Sequence, residues 1–354
     1  MTRGRRDDRL PRVRSGTPAP GGAAAPGAVG APDAPSSPLD PAALRDALLD
    51  WFASNGRSLP GRDDRDPWHV LVVEVMSQQT QIDRSLAAAA TFCAAFPTPS
   101  ALAAASPGEV LRAWAGLGYN RRALALRAAA RAMVERHGGR VPDDPASLLA
   151  LPGVGPYTAR AVAARAFGAT VMPVDVNVRR VLGRVLDDPR PARVQALGDL
   201  LARSADGRPG AIADALMDLA AGTCRAREPA CTACPLSAWC GWRASGATVA
   251  GRTEPGSVPR GSALPGSGSR RPALRAPGSP VSGPAGALPF PRTRRWLRGQ
   301  LLRELREAPP GAWSTVEGPR GTHDHAAVRE TIATLAREGF VELDEVGRAR
   351  LAED

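Results

Sequence analysis

Leu151-Pro152-Gly153-Val154-Gly155-Pro156-Tyr157-Thr158-Ala159 is the stretch on which the reading of the fold turns. It reads as a helix end, a turn carrying two glycines, and a helix start. Gly153 and Gly155 allow backbone conformations closed to other residues and remove side chains that would block a close approach. Pro156 then opens a helix whose unpaired N–H groups and dipole favour an anion. Leu151 and Val154 would tie the turn to a core. A lone Gly-Val-Gly fits an ordinary helical hairpin equally well. The functional expectation is a phosphate held by the backbone of Gly153, Val154 and Gly155.

Outward from the hairpin the chain reads as helices joined by short Pro/Gly breaks. Asp40 before Pro41 is an N-cap followed by proline at the first helical position, opening a helix through about Ser54. Val70–Phe92 carries apolar residues at spacings of three and four. Further helical patterns cover 107–115, 120–136, 145–150, 156–166, 176–186, 193–203 and 212–221. Alternating β-branched runs are scarce, and no internal repeat is found, so the class is all-α. A C-terminal block at 289–354 has helical patterns at 293–307 and 325–338 and then the short stretch Phe340–Leu343, which suggests a small winged-helix-like unit. Residues 1–38 and 244–288 are rich in Ala, Pro, Gly and Arg and have no sustained apolar period. They read as a disordered tail and a linker.

All 46 basic residues are arginine, and the net charge is +11. Such a balance suits a polyanion, although basic tails contribute to the total. No apolar run reaches the ~18 residues of a membrane span. The N-terminal arginines are not followed by an apolar core, so no secretory signal is expected. Four of the five cysteines crowd into Cys224, Cys231, Cys234 and Cys240 at spacing C-x6-C-x2-C-x5-C. That pattern argues for a metal site in a reducing compartment over a disulfide framework. Four thiolates on one loop could serve zinc or an iron–sulfur cluster, and spacing alone leaves both open. Cys93, in Thr-Phe-Cys-Ala-Ala-Phe, reads as a small buried apolar residue. The expected location is the cytoplasm, at the nucleoid.

Two carboxylates stand out. Asp175, in Val174–Leu182, precedes a helix, where cap N–H groups favour its charged form. An ionised carboxylate there could face a developing cation or simply cap the helix. Glu74 lies among Val73, Val75 and Met76, where partial burial would raise its pKa and suit a proton donor. Gln78 sits one turn further along the same face.

Taken together, these segments resemble one superfamily. The hairpin nonapeptide resembles the helix–hairpin–helix of DNA repair glycosylases. Glu74–Gln81 (Glu-Val-Met-Ser-Gln-Gln-Thr-Gln) resembles the corresponding segment of MutY-type adenine DNA glycosylases, with Ser77 in place of leucine. Gly116–Ala123 resembles that family's Gly-Leu-Gly-Tyr-Tyr segment, with Asn120 in place of the second tyrosine. The cysteine loop, directly after Leu216–Cys224, resembles the [4Fe–4S] loop of endonuclease III and the adenine glycosylases.

The resemblance implies two helical lobes flanking a cleft and a [4Fe–4S] cluster on Cys224, Cys231, Cys234 and Cys240. It implies a monomer acting on duplex DNA with an A·8-oxoguanine or A·G mispair. Glu74 would protonate the adenine and Asp175 would stabilise the sugar cation, with Asn177 helping to hold the site. Gln78, Gln79 and Thr80 would enter the duplex, and Tyr119 would act as a wedge. Tyr157 stands where endonuclease III has its attacking lysine, and the chain has no lysine at all, so release without strand cleavage is expected. Gly61 replaces the family's Trp in Arg57–Arg62. The C-terminus lacks the Nudix-like domain of many members and resembles the short actinobacterial form. The alternatives are a T·G-specific thymine glycosylase of the same superfamily and a non-catalytic lesion-binding protein.

Overall fold

The computed structural model describes residues 39–205, 208–247 and 289–353. The tail expected at 1–38 and the part of the expected linker from 248 to 288 lie outside them. The element order is α1 (Pro41–Asn55), α2 (Pro67–Ser77), α3 (Ile82–Ala95), α4 (Pro99–Ala104), α5 (Pro107–Ala113), α6 (Arg121–His137), α7 (Pro145–Leu149) and α8 (Pro156–Ala166). It continues through α9 (Val176–Leu186), α10 (Pro191–Arg203), α11 (Pro209–Gly222), the short α12 (Gly241–Ala244), α13 (Arg294–Glu307) and α14 (His325–Arg337). Two strands, β1 (Val341–Leu343) and β2 (Ala349–Leu351), close the chain as an antiparallel ribbon pairing Val341 with Leu351.

Caps set many of these boundaries. Asp40 accepts the Ala42 N–H at 2.9 Å, and Asp66 accepts those of Trp68 and His69. Ser106 and Glu109 form a reciprocal capping box at the start of α5. Each cap satisfies donors that the first turn of a helix leaves unpaired.

The apolar pattern over 70–92 is not one helix. It splits into α2 and α3 because the chain turns through Gln78–Gln81, with Gln79 at φ 57°. Arg122 fixes that break. Its Nη1 donates to the carbonyl oxygens of Val75, Met76 and Gln78 at 2.8, 3.0 and 2.7 Å, and so occupies acceptors at the end of α2.

Two cores result. The larger gathers α2–α8 around Leu71, Met76, Phe92, Leu111, Trp114 and Met133 and takes in Leu297, Leu301, Leu335, Phe340 and Leu351 from the C-terminal block. The smaller joins α1 to α9, α10 and α11 through Leu44, Leu48, Val181, Leu201, Ile212 and Leu216. Helices α2 and α8 of the first pack beside α11 of the second. Trp68 belongs to the larger core, with its Nε1 donating to the Phe96 carbonyl at 2.8 Å. Cys93 also lies inside it, where burial pushes the thiol up to about 11.

Candidate active site and DNA-facing turns

The hairpin between α7 and α8 is anchored as its sequence requires. Leu151 and Val154 are buried, whereas Pro152 and Gly153 are exposed. Gly153 sits at φ 75°, and a Cβ there would lie 2.6 Å from the Cβ of Ala125. Gly155 caps α8 with open space where its side chain would be. Pro156 occupies the first turn, so neutral backbone donors face outward without a side chain in front of them.

Tyr157 and Thr158 carry the hairpin into the interior. Tyr157 is half-buried, and the neighbouring Glu74 charge, with burial, holds its phenol well above the usual range. Glu74, on α2, is only 7% exposed. Burial pushes its carboxyl up, Arg165 pulls it back, and Asp214 and Asp175 add to the rise. Asp175 caps α9: Oδ1 accepts the N–H groups of Asn177 and Val178 at 2.8 Å each, and Oδ2 accepts the Asn177 side-chain amide at 2.7 Å. Asn177 Oδ1 in turn accepts from Arg180 at 3.2 Å. Glu74, Tyr157 and Asp175 therefore meet, within electrostatic reach of one another, where the two cores adjoin.

The second group of expected residues borders this site. Gln78 donates to the Thr158 hydroxyl at 3.3 Å, which links the end of α2 to α8. Gln79 is exposed. Thr80 and the Gln78 carbonyl share Arg122 with the carbonyls of Leu117 and Gly118 on the neighbouring turn. Tyr119 stands on that turn at φ 47° and 39% exposed, its ring between the guanidinium of Arg122 at 5.6 Å and that of Arg295 at 4.4 Å. Asn120 accepts a 2.6 Å bond from Arg306, also of the C-terminal block. A cavity of about 190 Å³ separates Gln78, Arg121 and Arg122 from Gly153 and Val154.

Sequence reading missed two buried aspartates. Asp218 binds Arg57, through both its side chain and its backbone N–H, and also takes two 3.0 Å bonds from Arg62. Asp214, one turn earlier on α11, is joined to Arg165. Two aspartates at i and i+4 in the otherwise apolar Ile212–Ala221 were the available signal, since buried charges demand partners. Gly61 adopts φ 70° with nothing within 4 Å of its missing Cβ.

Cys224, Cys231, Cys234 and Cys240 line one pocket of about 300 Å³ with Arg184 and Arg243. Among the described residues no three His, Cys, Asp or Glu are grouped as ligands of a single metal ion. The loop is mounted on α9. Arg184, 2% exposed, donates to the Arg225 and Ala226 carbonyls and lies 3.4 Å from the Cys224 sulfur, while Arg180 donates to the Cys224 carbonyl. Four thiols around one space with two arginines beside it fit a group larger than one ion and net negative once ligated.

Comparison with known proteins agrees with this geometry. Residues 72–198 match the family model of HhH-GPD superfamily base excision DNA repair proteins. The chain is 44% identical to the adenine DNA glycosylase of Mycobacterium tuberculosis (strain CDC 1551 / Oshkosh) over 205 residues, covering 56% of this chain and 67% of that protein. It belongs to the adenine DNA glycosylase family. The Mycolicibacterium smegmatis (strain ATCC 700084 / mc(2)155) adenine DNA glycosylase is 43% identical, covering 58% of this chain and 73% of its own length. The solved structure of a thermostable thymine-DNA glycosylase matches with a TM-score of 0.53 at 27% identity, covering 57% of this chain and 95% of that one. Family membership thus coincides with the helix–hairpin–helix core. No helix among the described residues is long and apolar enough to cross a membrane.

Proposed function

We propose that this glycosylase removes adenine mispaired with 8-oxoguanine or guanine and leaves an abasic site in an uncut strand. The observation that supports this most directly is the meeting of two carboxyl groups in opposite settings. Glu74 is buried, and no side chain donates it a hydrogen bond of good length; Asp175 faces three N–H donors. Glu74 gives a proton to N7 of the extruded adenine. The C1′–N9 bond then breaks with its electron pair on the purine, and Asp175 stabilises the positive charge left on the sugar. Water adds to C1′, and its proton restores Glu74. Gly153, Val154 and Gly155 hold a phosphate, while Gln78, Gln79, Thr80 and Tyr119 fill and read the duplex around the vacated position. Asn177 orients Asp175. Tyr157 offers no amine, and the lysine-free chain forms no Schiff base.

Cys224, Cys231, Cys234 and Cys240 would hold a [4Fe–4S] cluster, whose part is to order the loop bearing Arg225, Arg227 and Arg243; no step of base release passes through it. The chain acts as a monomer in the cytoplasm.

The deciding experiment incubates the protein with A·8-oxoguanine, A·G and T·G duplexes, followed by hot alkali. Strand breaks only after alkali, and only in the adenine duplexes, are expected. Product from T·G alone overturns the proposal in favour of a thymine glycosylase. Full base release by Asp175→Asn overturns the mechanism, and a colourless zinc protein overturns the cluster.

A further inference from the structure

We infer that Asp214 holds Arg165 away from Glu74, so that the arginine positions the acid without drawing out its proton. This rests on the reading of Glu74 as the proton donor.

The three side chains come from three helices. Arg165, in the last turn of α8, turns its Nη2 to Oδ1 of Asp214 on α11 in a direct ionic hydrogen bond. Its Nη1 stands 3.4 Å from Glu74 Oε1 on α2, and its buried Nε has no partner. A charge-assisted bond between guanidinium and carboxylate is shorter, about 2.7–2.9 Å. The arginine thus pairs with Asp214 and only borders Glu74. Both carboxyl side chains are nearly sealed from water, at 7% exposure for Glu74 and 5% for Asp214.

The arrangement resolves a conflict in the site. A cation in full contact with a buried carboxyl stabilises its charged form, whereas a proton donor must reach neutral pH still protonated. Burial pushes both carboxyls up, and Arg165 pulls both back. Contact decides between them: Asp214, directly bonded, carries the negative charge, and Glu74, one step removed, keeps the proton. The other groups facing Glu74 do not supply a competing cation. Tyr157 comes from α8 and Asp175 from the start of α9. Arg62, from the loop before α2, reaches Asp214 only at 3.9 Å and is committed to Asp218 together with Arg57. Arg65 acts on Asp214. Arg122 of α6 is spent on carbonyls at the end of α2.

The test is single-turnover adenine release from an A·G duplex as a function of pH. Asp214→Asn frees the arginine to close on Glu74, so the alkaline fall of the rate should move to lower pH by about one unit. That is roughly a tenfold loss on the alkaline side with the acidic plateau kept. Arg165→Gln should move the fall the opposite way, and Arg165→Lys should restore the wild-type position. Should Arg165→Gln fail to give a cooperative melt, Asp214→Asn and Arg165→Lys decide. Profiles that coincide with wild type apart from amplitude, or Asp214→Asn and Arg165→Gln shifting in the same direction, overturn the inference. Glu74→Gln separates it from its premise. If that variant keeps the wild-type rate, Glu74 is not the acid; if it is inactive while the other profiles coincide, only the role of Arg165 and Asp214 fails.

Discussion

Two turns face the proposed duplex, and they are held in place by opposite means. The hairpin at 151–156 is fixed by two buried apolar anchors and a glycine in a left-handed conformation, with no charged side chain involved. The paired turns at 77–81 and 116–120 have little apolar anchoring. They are strung on one guanidinium, which donates to the carbonyls of Val75, Met76, Gln78, Leu117 and Gly118. The first is rigid by backbone conformation, and the second by a buried cation spanning two loops. The lesson is that a wedge such as Tyr119 can be aimed by a residue with no contact to DNA of its own.

The comparison breaks first at that cation. Arg122→Leu should orphan several carbonyl acceptors, each costing about 1–3 kcal/mol where water cannot replace the donor. Denaturant unfolding should show a loss of several kcal/mol, and Arg122→Lys should recover little, because three donors on one nitrogen cannot span two loops. Gly153→Ala tests the other turn. Strain at positive φ and the collision with Ala125 should cost about 1–3 kcal/mol. Duplex affinity should fall while the slope of log K against log salt stays unchanged, since the hairpin offers neutral donors and releases no counterion. A reduced slope would mean that the hairpin's contribution is ionic after all. Tyr119→Ala should leave the melting temperature nearly unchanged, because the ring is half outside, yet slow base release by about tenfold if the ring substitutes for a stacked base. Smallest is Arg295→Ala, worth about 0.5–1 kcal/mol for one exposed cation–π contact. A double-mutant cycle with Tyr119 should return most of that as coupling energy.

The contrast also explains what could be read from the chain alone. Backbone-determined features were legible. The bounds of α8 and α9 follow from Gly155–Pro156 and from Asp175, because caps and glycines act within a few residues. Glu74, Asp175 and the hairpin could be placed for the same reason, with family likeness adding their roles. What escaped was long-range. The apolar period over 70–92 ran through the break at Gln79, because the arginine that stabilises the break lies more than 40 residues later. Asp214 and Asp218 looked like ordinary helix residues until Arg165, Arg57 and Arg62 were brought to them from two other segments. Pairing between distant charges leaves no periodic trace.

The two cores are interleaved along the chain: one draws on residues from Trp68 to Leu351, the other on residues from Leu44 to Leu236. The Gly108 N–H even reaches the carbonyl of Ala352, and a Cβ at Gly108 would press on that oxygen at 3.1 Å. During synthesis, then, the lobe nearer the N-terminus cannot finish packing until almost the last codon has been read. Its central helices must wait, partly uncovered, while the smaller lobe is already complete. Such deferred closure slows folding and favours help from a chaperone. It also means that no single cut separates the molecule into two halves that each keep an intact interior.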